Sequence, residues 1–359
     1  MRVFLKKKKI FYFEQVKNSG GGSHMKKWSF IFKTAVTLNS FLLLLQLLAM
    51  DSFNLGIDIP VLALATPILC LINVLFFSYW FLRFKWPLLL FFIAFALSFE
   101  SWKLLYQFKS KGISTLKGLN VMSYNVRSFN RFDWLDIKDV PESIADFIEK
   151  TNPDVVCFQE FSTIKAPEFK NYPYKIFKPY VVNGKIGSCI ISKYPLINSK
   201  GIAFKASANG GMQSDLIWKR DTLRLYNLHF ESLRINAKDT LFSSHYSNKI
   251  RSKFKRISQI QKDQVTLFNS LSYSSPFPEI ICTDLNNNAF SESYKRLAKQ
   301  RLDSFREQGQ GFGATYQFPY FPLRIDYILT DTKIKILDFK THKIKYSDHR
   351  PISALLNWP

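Results

Sequence analysis

Pro60–Leu82, 23 consecutive residues without a charge, constrains this chain more than any other feature. As a helix it would be about 34 Å long, enough to cross the roughly 30 Å hydrocarbon core of a bilayer. A helix buried in a water-soluble core rarely lacks a polar face over such a length. Two more apolar runs flank it. Trp28–Met50 carries only Lys33, and Trp86–Phe99 offers 14 charge-free residues. The third run spans only if it continues past Glu100 and Lys103 towards Phe108, where Trp102 and Tyr106 suit an interfacial end. A cleavable signal peptide does not explain three such runs. Residues 25–108 therefore read as a membrane region of two to three transmembrane helices, three being the expectation. Residues 1–24 read as an extension or tag without structure, because Gly22-Ser23-His24-Met25 resembles the scar of a cleaved tag.

Charge predicts sidedness. Lys26 and Lys27 precede the first run and Arg83 and Lys85 follow the second, whereas Asp51–Ile59 between them holds two aspartates and no Lys or Arg. By the positive-inside rule the N-terminus is cytoplasmic and the Asp51–Ile59 loop lies outside. Three crossings place the remainder of the chain outside the cytoplasm, in the periplasm of a diderm bacterium. Two crossings place it in the cytoplasm, which the Lys-containing connector would favour.

Beyond a polar linker at 109–118, residues 119–359 read as a soluble α/β domain. Short apolar runs, Leu119–Val126, Asp154–Glu160, Gly187–Ser192, Leu223–His229, Glu279–Thr283, Arg324–Leu329 and Pro351–Leu356, predict buried strands. Pro141–Lys150 and Tyr246–Leu271 predict helices, and strands interleaved with helices predict a layered sandwich. From Lys117 onward 36 basic residues face 23 acidic ones, so this part holds over half of the net charge of +23. Such a field concentrates anionic partners but specifies no chemistry. The four cysteines include no CxxC pair, which argues against structural zinc and redox chemistry and for free buried thiols.

The polar residues of interest stand where the predicted strands end. Asn125, Glu160, His229, Asp284 with Asn286, Asp326, and Asp348-His349 each adjoin one such run. Any one of them is ordinary turn chemistry. Jointly they can converge on one sheet edge. Ser123-Tyr124-Asn125-Val126, Gln159-Glu160, Asp284-Leu285-Asn286, Arg324-Ile325-Asp326-Tyr327 and Ser347-Asp348-His349-Arg350-Pro351-Ile352 resemble the endonuclease/exonuclease/phosphatase superfamily, which includes DNase I and neutral sphingomyelinases. Ser192-Lys193-Tyr194-Pro195 fits as well. The likeness covers Leu119 to Leu356 and leaves out the membrane runs.

The resemblance implies a four-layer α/β/β/α sandwich and hydrolysis of phosphoesters with a divalent metal. It implies that Glu160 ligates the metal and that Asn125 shares or orients that site. Asp284 would position or deprotonate the attacking water, and Asn286 would donate to a phosphate oxygen. His349 would meet the phosphate with Asp348 nearby. Asp326 would orient a histidine, and His229 would contact phosphate or protonate the leaving group. Oxygen ligands with retained waters suit Mg²⁺ or Mn²⁺. Abasic-site enzymes carry an acidic residue at the position of Arg127, a substrate-binding candidate here, which argues against abasic-site repair.

Two stretches speak to substrate. The basic residues Lys249, Arg251, Lys253, Lys255 and Arg256 spread round a predicted helix, as a collar at the site entrance or simply as a solvated helix. Gly311–Tyr316 and Phe318–Phe321 form an aromatic loop that would stack bases, insert among acyl chains or merely pack, packing being the expectation. The sequence thus predicts a membrane-anchored phosphodiesterase acting on nucleic acid, with a phospholipid or head-group hydrolase as the alternative. A catalytically silent, membrane-tethered binding module is the alternative of another class. The bilayer and an anionic phosphate-containing substrate are the expected partners, with no obligate protein partner.

Overall fold

A computed structural model describes residues 29–53, 55, 58–108, 117–205, 207–233, 244–317 and 323–358, with the side chains of 244–250 excepted. Residues 1–24, most of the 109–118 linker, Phe318–Phe321 and the side chain of Lys249 lie outside the described residues. The chain divides into two compact units, ending and beginning at Phe41 and Leu42. The smaller is described only from Ser29, as the opening turns of the first helix. Every contact described below lies within the larger, which takes in the rest of that helix.

Helix α1 (Phe30–Ala49) and helix α2 (Pro60–Leu82) are each long and apolar enough to cross a membrane. A polar staple joins them: the buried amide of Asn73 donates to Gln46 Oε1 at 2.9 Å and to the Leu42 carbonyl at 3.2 Å. Such a bond binds helices where apolar packing alone gives little preference. The third apolar run is not one straight helix. It forms α3 (Leu88–Leu97) and α4 (Phe99–Leu105), bent by 80° at Ser98. Ser98 anchors the bend, its hydroxyl donating to the Ala94 carbonyl and accepting from the Trp102 indole.

The α1–α2 turn is tied to the domain that follows. Asp51 pairs with Lys295 at 2.9 Å, Asp58 with Lys262 at 2.6 Å, and Asn288 donates to the Ala63 carbonyl at 2.8 Å. After α4, the backbones of Gln107 and Gly311 exchange two hydrogen bonds.

Among the described residues, twelve strands form two six-stranded sheets. The first contains β1 (Leu119–Asn125), β2 (Val155–Ser162), β3 (Tyr174–Pro179), β4 (Ile186–Ser192), β11 (Lys335–Thr341) and β12 (Ile352–Asn357), in the order β11-β12-β1-β2-β4-β3. The second contains β5 (Leu196–Ala203), β6 (Gly210–Trp218), β7 (Asp221–His229), β8 (Glu279–Asp284), β9 (Arg301–Asp303) and β10 (Asp326–Asp331), in the order β5-β6-β7-β8-β10-β9. The β1–β2 and β7–β8 pairs are parallel. Short helices α7 (Glu292–Ala298) and α8 (Ser304–Gln308) flank β9.

The alternation of side chains builds the layers. Val121, Cys157 and Ile190 from the first sheet meet Leu225, Ile280, Cys282 and Ile328 from the second in the central core. On the outer side of the first sheet, α5 (Val140–Thr151) packs Ile144 and Ile148 against Val156 and Phe158. On the outer side of the second, α6 (Ser244–Ser272) packs Val265 and Phe268 against Tyr226 and Ile281. This is the four-layer sandwich the sequence predicts. The four cysteines are buried and free.

One polar bridge crosses the central core beside the site. Buried Asn227 on β7 donates to the carbonyls of Phe158 and Cys189 at 2.9 and 3.0 Å, and accepts from Gln159 Nε2 at 2.8 Å. Asn227→Ala takes its amide away from both carbonyls and removes one acceptor of Gln159 Nε2, which keeps Ser123 Oγ at 3.0 Å. It is expected to destabilise the domain by roughly 2–4 kcal/mol. A fall in the thermal unfolding midpoint of the detergent-purified chain checks this, and an unchanged midpoint would show the bridge to be dispensable.

Candidate active site

Register sets the heart of the site. His229 ends β7 directly beside Asp284 at the end of parallel β8, and Asp326 opens antiparallel β10 on the other side of Asp284. Three polar side chains thus stand in one row across three neighbouring strands. The opposing sheet contributes Asn125 from the end of β1 and Glu160 from β2. All but Glu160 are buried.

Glu160 reaches the site through a defect in its strand. Between Phe158 and Phe161 the pairing of β2 with β4 slips, and Glu160 takes a left-handed backbone conformation at φ 49°. Such a bulge re-aims one side chain, here at a cost of about 1–3 kcal/mol for a non-glycine residue. Without it, strict alternation would point Glu160 with Phe158 at the α5 layer. With it, Phe161 returns to that layer beside Phe158, and Glu160 is freed for the site.

Asp284 is the hub. Its Oδ2 accepts from Asn125 Nδ2 at 2.9 Å and lies 3.5 Å from His229 Nε2 and 3.7 Å from His349 Nε2. Its Oδ1 accepts the backbone N–H of Asn286 at 2.8 Å. His349 sits just before β12, with Nδ1 3.0 Å from Asp326 Oδ2. That carboxylate orients the ring so that Nε2 faces Asp284. Asp326 is itself held by the hydroxyl of Thr315, which accepts the backbone N–H groups of Ile325 and Asp326.

Burial and charge act differently on each group. Burial raises Asp284 to about 6, against the pull of His349. Burial also raises Glu160, opposed by the Asn125 hydrogen bond; its side chain remains 32% exposed, so solvent screens part of that effect. At His349 burial disfavours the imidazolium, but the carboxylates of Asp326 and Asp284 outweigh it and hold the pKa well above the usual histidine range. At His229 burial prevails over Asp284 and the pKa falls. Two histidines facing one carboxylate are thus biased towards opposite protonation states.

The other predicted residues stand at the rim. Arg127 and Asp348 pair with each other at 2.7 Å, and the Arg127 guanidinium lies 3.9 Å from the centre of the Trp134 ring. Asp348 therefore faces Arg127 instead of the His349 ring. Asn286 is half-buried, one amide hydrogen going to the Phe230 carbonyl at 3.0 Å. Asn125 directs its amide nitrogen at Glu160 Oε1 (3.2 Å) and Asp284, and its oxygen at the Arg127 N–H. In this orientation it holds the two carboxylates in place.

Some neighbours were invisible to sequence reasoning. The Tyr180 hydroxyl accepts the backbone N–H of Glu160 at 3.1 Å, and its ring lies 5.6 Å from that of His229. Tyr316 sets its ring 5.1 Å from His349, so part of the aromatic loop belongs to the site. Arg131, Lys185 and Asn209 join Glu160, Tyr180 and His229 around a cleft of about 590 Å³. No motif marks Arg131, Tyr180, Lys185 or Asn209, whereas Tyr316 lies in the aromatic loop singled out in the sequence. The basic stretch of α6 does not border this cleft: Arg251, Lys255 and Arg256 line a separate groove against α2.

A metal has a suitable donor set. Glu160 takes one hydrogen bond and keeps an exposed carboxylate at the cleft, and Asp284, Asp326 and His349 place ligand-type atoms within 4.8 Å of one another. Because His349 Nδ1 is already committed to Asp326, Glu160 and Asp284 are the better hard-oxygen donors.

The comparisons agree with this geometry. No curated protein sequence matches the chain. Among solved structures, an endonuclease/exonuclease/phosphatase from Bacteroides vulgatus is similar, with a TM-score of 0.55 and 14% identity, over 68% of this chain and 100% of that one. D. rerio TDP2 complexed with single strand DNA product superposes with a TM-score of 0.52 at 18% identity, over 67% and 100%. A Bacteroides thetaiotaomicron endonuclease/exonuclease/phosphatase family protein gives 0.51 at 15% identity, over 67% and 95%. These likenesses show the fold. The family model for endonuclease/exonuclease/phosphatase proteins matches residues 122–349, well over half of the chain. The chain belongs to the endonuclease/exonuclease/phosphatase family of metal-dependent phosphoester hydrolases.

Proposed function

We propose that this protein is a membrane-anchored phosphodiesterase acting on a nucleic-acid strand. The observation that carries the substrate reading is the cleft, which Arg131 and Lys185 line together with Glu160 and His229. Cations beside a hydrolytic centre suit a backbone with phosphates beyond the one being cut. The fold likeness to a protein captured with a single strand DNA product points the same way.

In this reading Glu160 would hold Mg²⁺ or Mn²⁺, with Asn125 fixing the carboxylate. Such an ion, when bound, would supply positive charge against the charge that develops on the phosphoryl oxygens. Asp284, made more basic by burial, takes the proton of the attacking water. His349, oriented by Asp326, presents Nε2 to the phosphate, and His229 faces the same space from β7. Asn286 has one amide hydrogen left for a phosphate oxygen. Arg127 and Asp348 shape the rim. Turnover of plasmid DNA, RNA, sphingomyelin and phosphoinositides by the purified full chain tests the substrate. Cleavage of either lipid with both nucleic acids untouched would overturn the nucleic-acid reading. No Mg²⁺-dependent turnover of bis-p-nitrophenyl phosphate would favour a silent binding module.

Residues 25–108 serve as the membrane region and 119–359 as the catalytic domain, outside the cytoplasm. The Asp51–Lys295 and Asp58–Lys262 pairs support this, because they hold the domain on the same side as the α1–α2 turn. That turn lacks basic residues, whereas Arg83 and Lys85 stand at the other end of α2. The bent α3–α4 pair brings the chain back to that side. Alkaline phosphatase fused after Pro359 is expected to be active and green fluorescent protein fused there dark; the reverse pair would place the domain in the cytoplasm.

A further inference from the structure

We infer that the groove between α6 and the start of α2 is a seat for a single anionic phospholipid. The inference rests on α1 and α2 crossing the membrane. The groove encloses about 1260 Å³. Its floor is apolar, with Leu45 from α1 and Val61, Leu62 and Ala65 from the first turns of α2. Its rim is cationic, with Arg251, Lys255 and Arg256 from α6. Arg251, Lys255 and Lys262 recur at helical spacing along one stripe, where the sequence suggested a scatter round the helix. Lys262 is committed to Asp58; Arg251, Lys255 and Arg256 have no ion-pair partner among the described residues.

Depth decides the occupant. Pro60 opens the charge-free run, so Ala65 lies about 7 Å inside it along the helix axis. Leu64 packs against Phe254 and Ile257, which places the basic turns of α6 at the boundary where lipid headgroups lie. A cationic rim over an apolar floor at that level matches an amphiphile with an anionic head. A soluble polyanion would leave the floor uncovered. The seat is rigid, because α6 is clamped from behind. Buried Gln261 donates to the carbonyls of Glu231 and Leu285 at 2.7 and 3.2 Å, and Gln264 accepts the Glu231 N–H at 3.0 Å.

Native mass spectrometry of the full chain, released from nanodiscs of phosphatidylglycerol or of phosphatidylcholine with matched acyl chains, tests the seat. Retention of one phosphatidylglycerol per chain, at least about tenfold over phosphatidylcholine, is the expected result. Each basic residue near a lipid surface is worth roughly fivefold in binding, so R251Q/K255Q/R256Q should lower retention roughly a hundredfold. Ala65→Trp, which keeps the charges but fills the floor, should also lower it. Equal retention of the two lipids, or wild-type retention by the triple variant, overturns the proposal. Wild-type retention by Ala65→Trp overturns it too, by reducing the site to a charged surface. Displacement by glycerol 3-phosphate would show a site for free phosphate instead. Extraction of the chain from membranes by alkaline carbonate would refute the membrane reading itself; an integral chain without lipid preference refutes only the seat.

Discussion

Asp284→Asn is expected to lower turnover at least about a hundredfold, the scale of a lost general base, in a chain that remains folded. The two side chains have the same shape, and Asp284 is wholly buried among Asn125, His229, His349 and the Asn286 backbone. The exchange removes the charge that both imidazoles face and the oxygen proposed to accept the water's proton. It also sets an amide NH₂ where an acceptor is needed, against Asn125 or against a histidine. Circular dichroism and the unfolding midpoint separate this from misfolding. Wild-type hydrolysis of a small activated phosphodiester by purified Asp284→Asn would overturn the assignment of this residue.

Chelation is expected to have an effect at least as large. Excess EDTA should abolish turnover, and adding back Mg²⁺ or Mn²⁺ should restore it. Glu160→Ala should lower activity at least about a hundredfold. Glu160→Gln, which keeps an oxygen donor but loses its charge, should shift the metal dependence to higher concentrations. Full activity in excess EDTA would exclude a required ion. Unchanged metal dependence in Glu160→Gln would move the binding position elsewhere, with Asp284 the nearest alternative donor.

The strands legible in the sequence are central ones, β1, β2, β4, β7, β8, β10 and β12, where both faces are covered and each strand carries a short apolar run. The four edge strands β3, β5, β9 and β11 were not read. Half-solvated edges such as Leu196–Ala203 mix Asn, Ser and Lys with apolar residues and show no clear period. β6 was missed for another reason. It opens Gly210-Gly211, and a Cβ at Gly211 would lie 2.7 Å from the Asn227 carbonyl, so close sheet contact replaces apolar side chains there.

The site was legible where chemistry coincides with the end of a strand, as at His229 and Asp284. It was not where backbone geometry does the placing. Nothing in Gln159-Glu160-Phe161 announces the bulge, and no local pattern links Tyr180 to Glu160, twenty positions away. The 80° bend in the third apolar run was not legible either, because composition alone does not register a bend.

The ion pairs that hold Asp51 and Asp58 to Lys295 and Lys262 have a consequence for how the protein meets its substrate. A domain on a loose leash sweeps a hemisphere and presents its active face in every direction. This one is fastened at several points to the elements that precede it. With α1 and α2 in a bilayer, as proposed, its cleft would keep one height and one attitude above the surface. Capture would then be a search in two dimensions, and on the proposed substrate long strands lying along the membrane would be favoured over short ones that tumble freely.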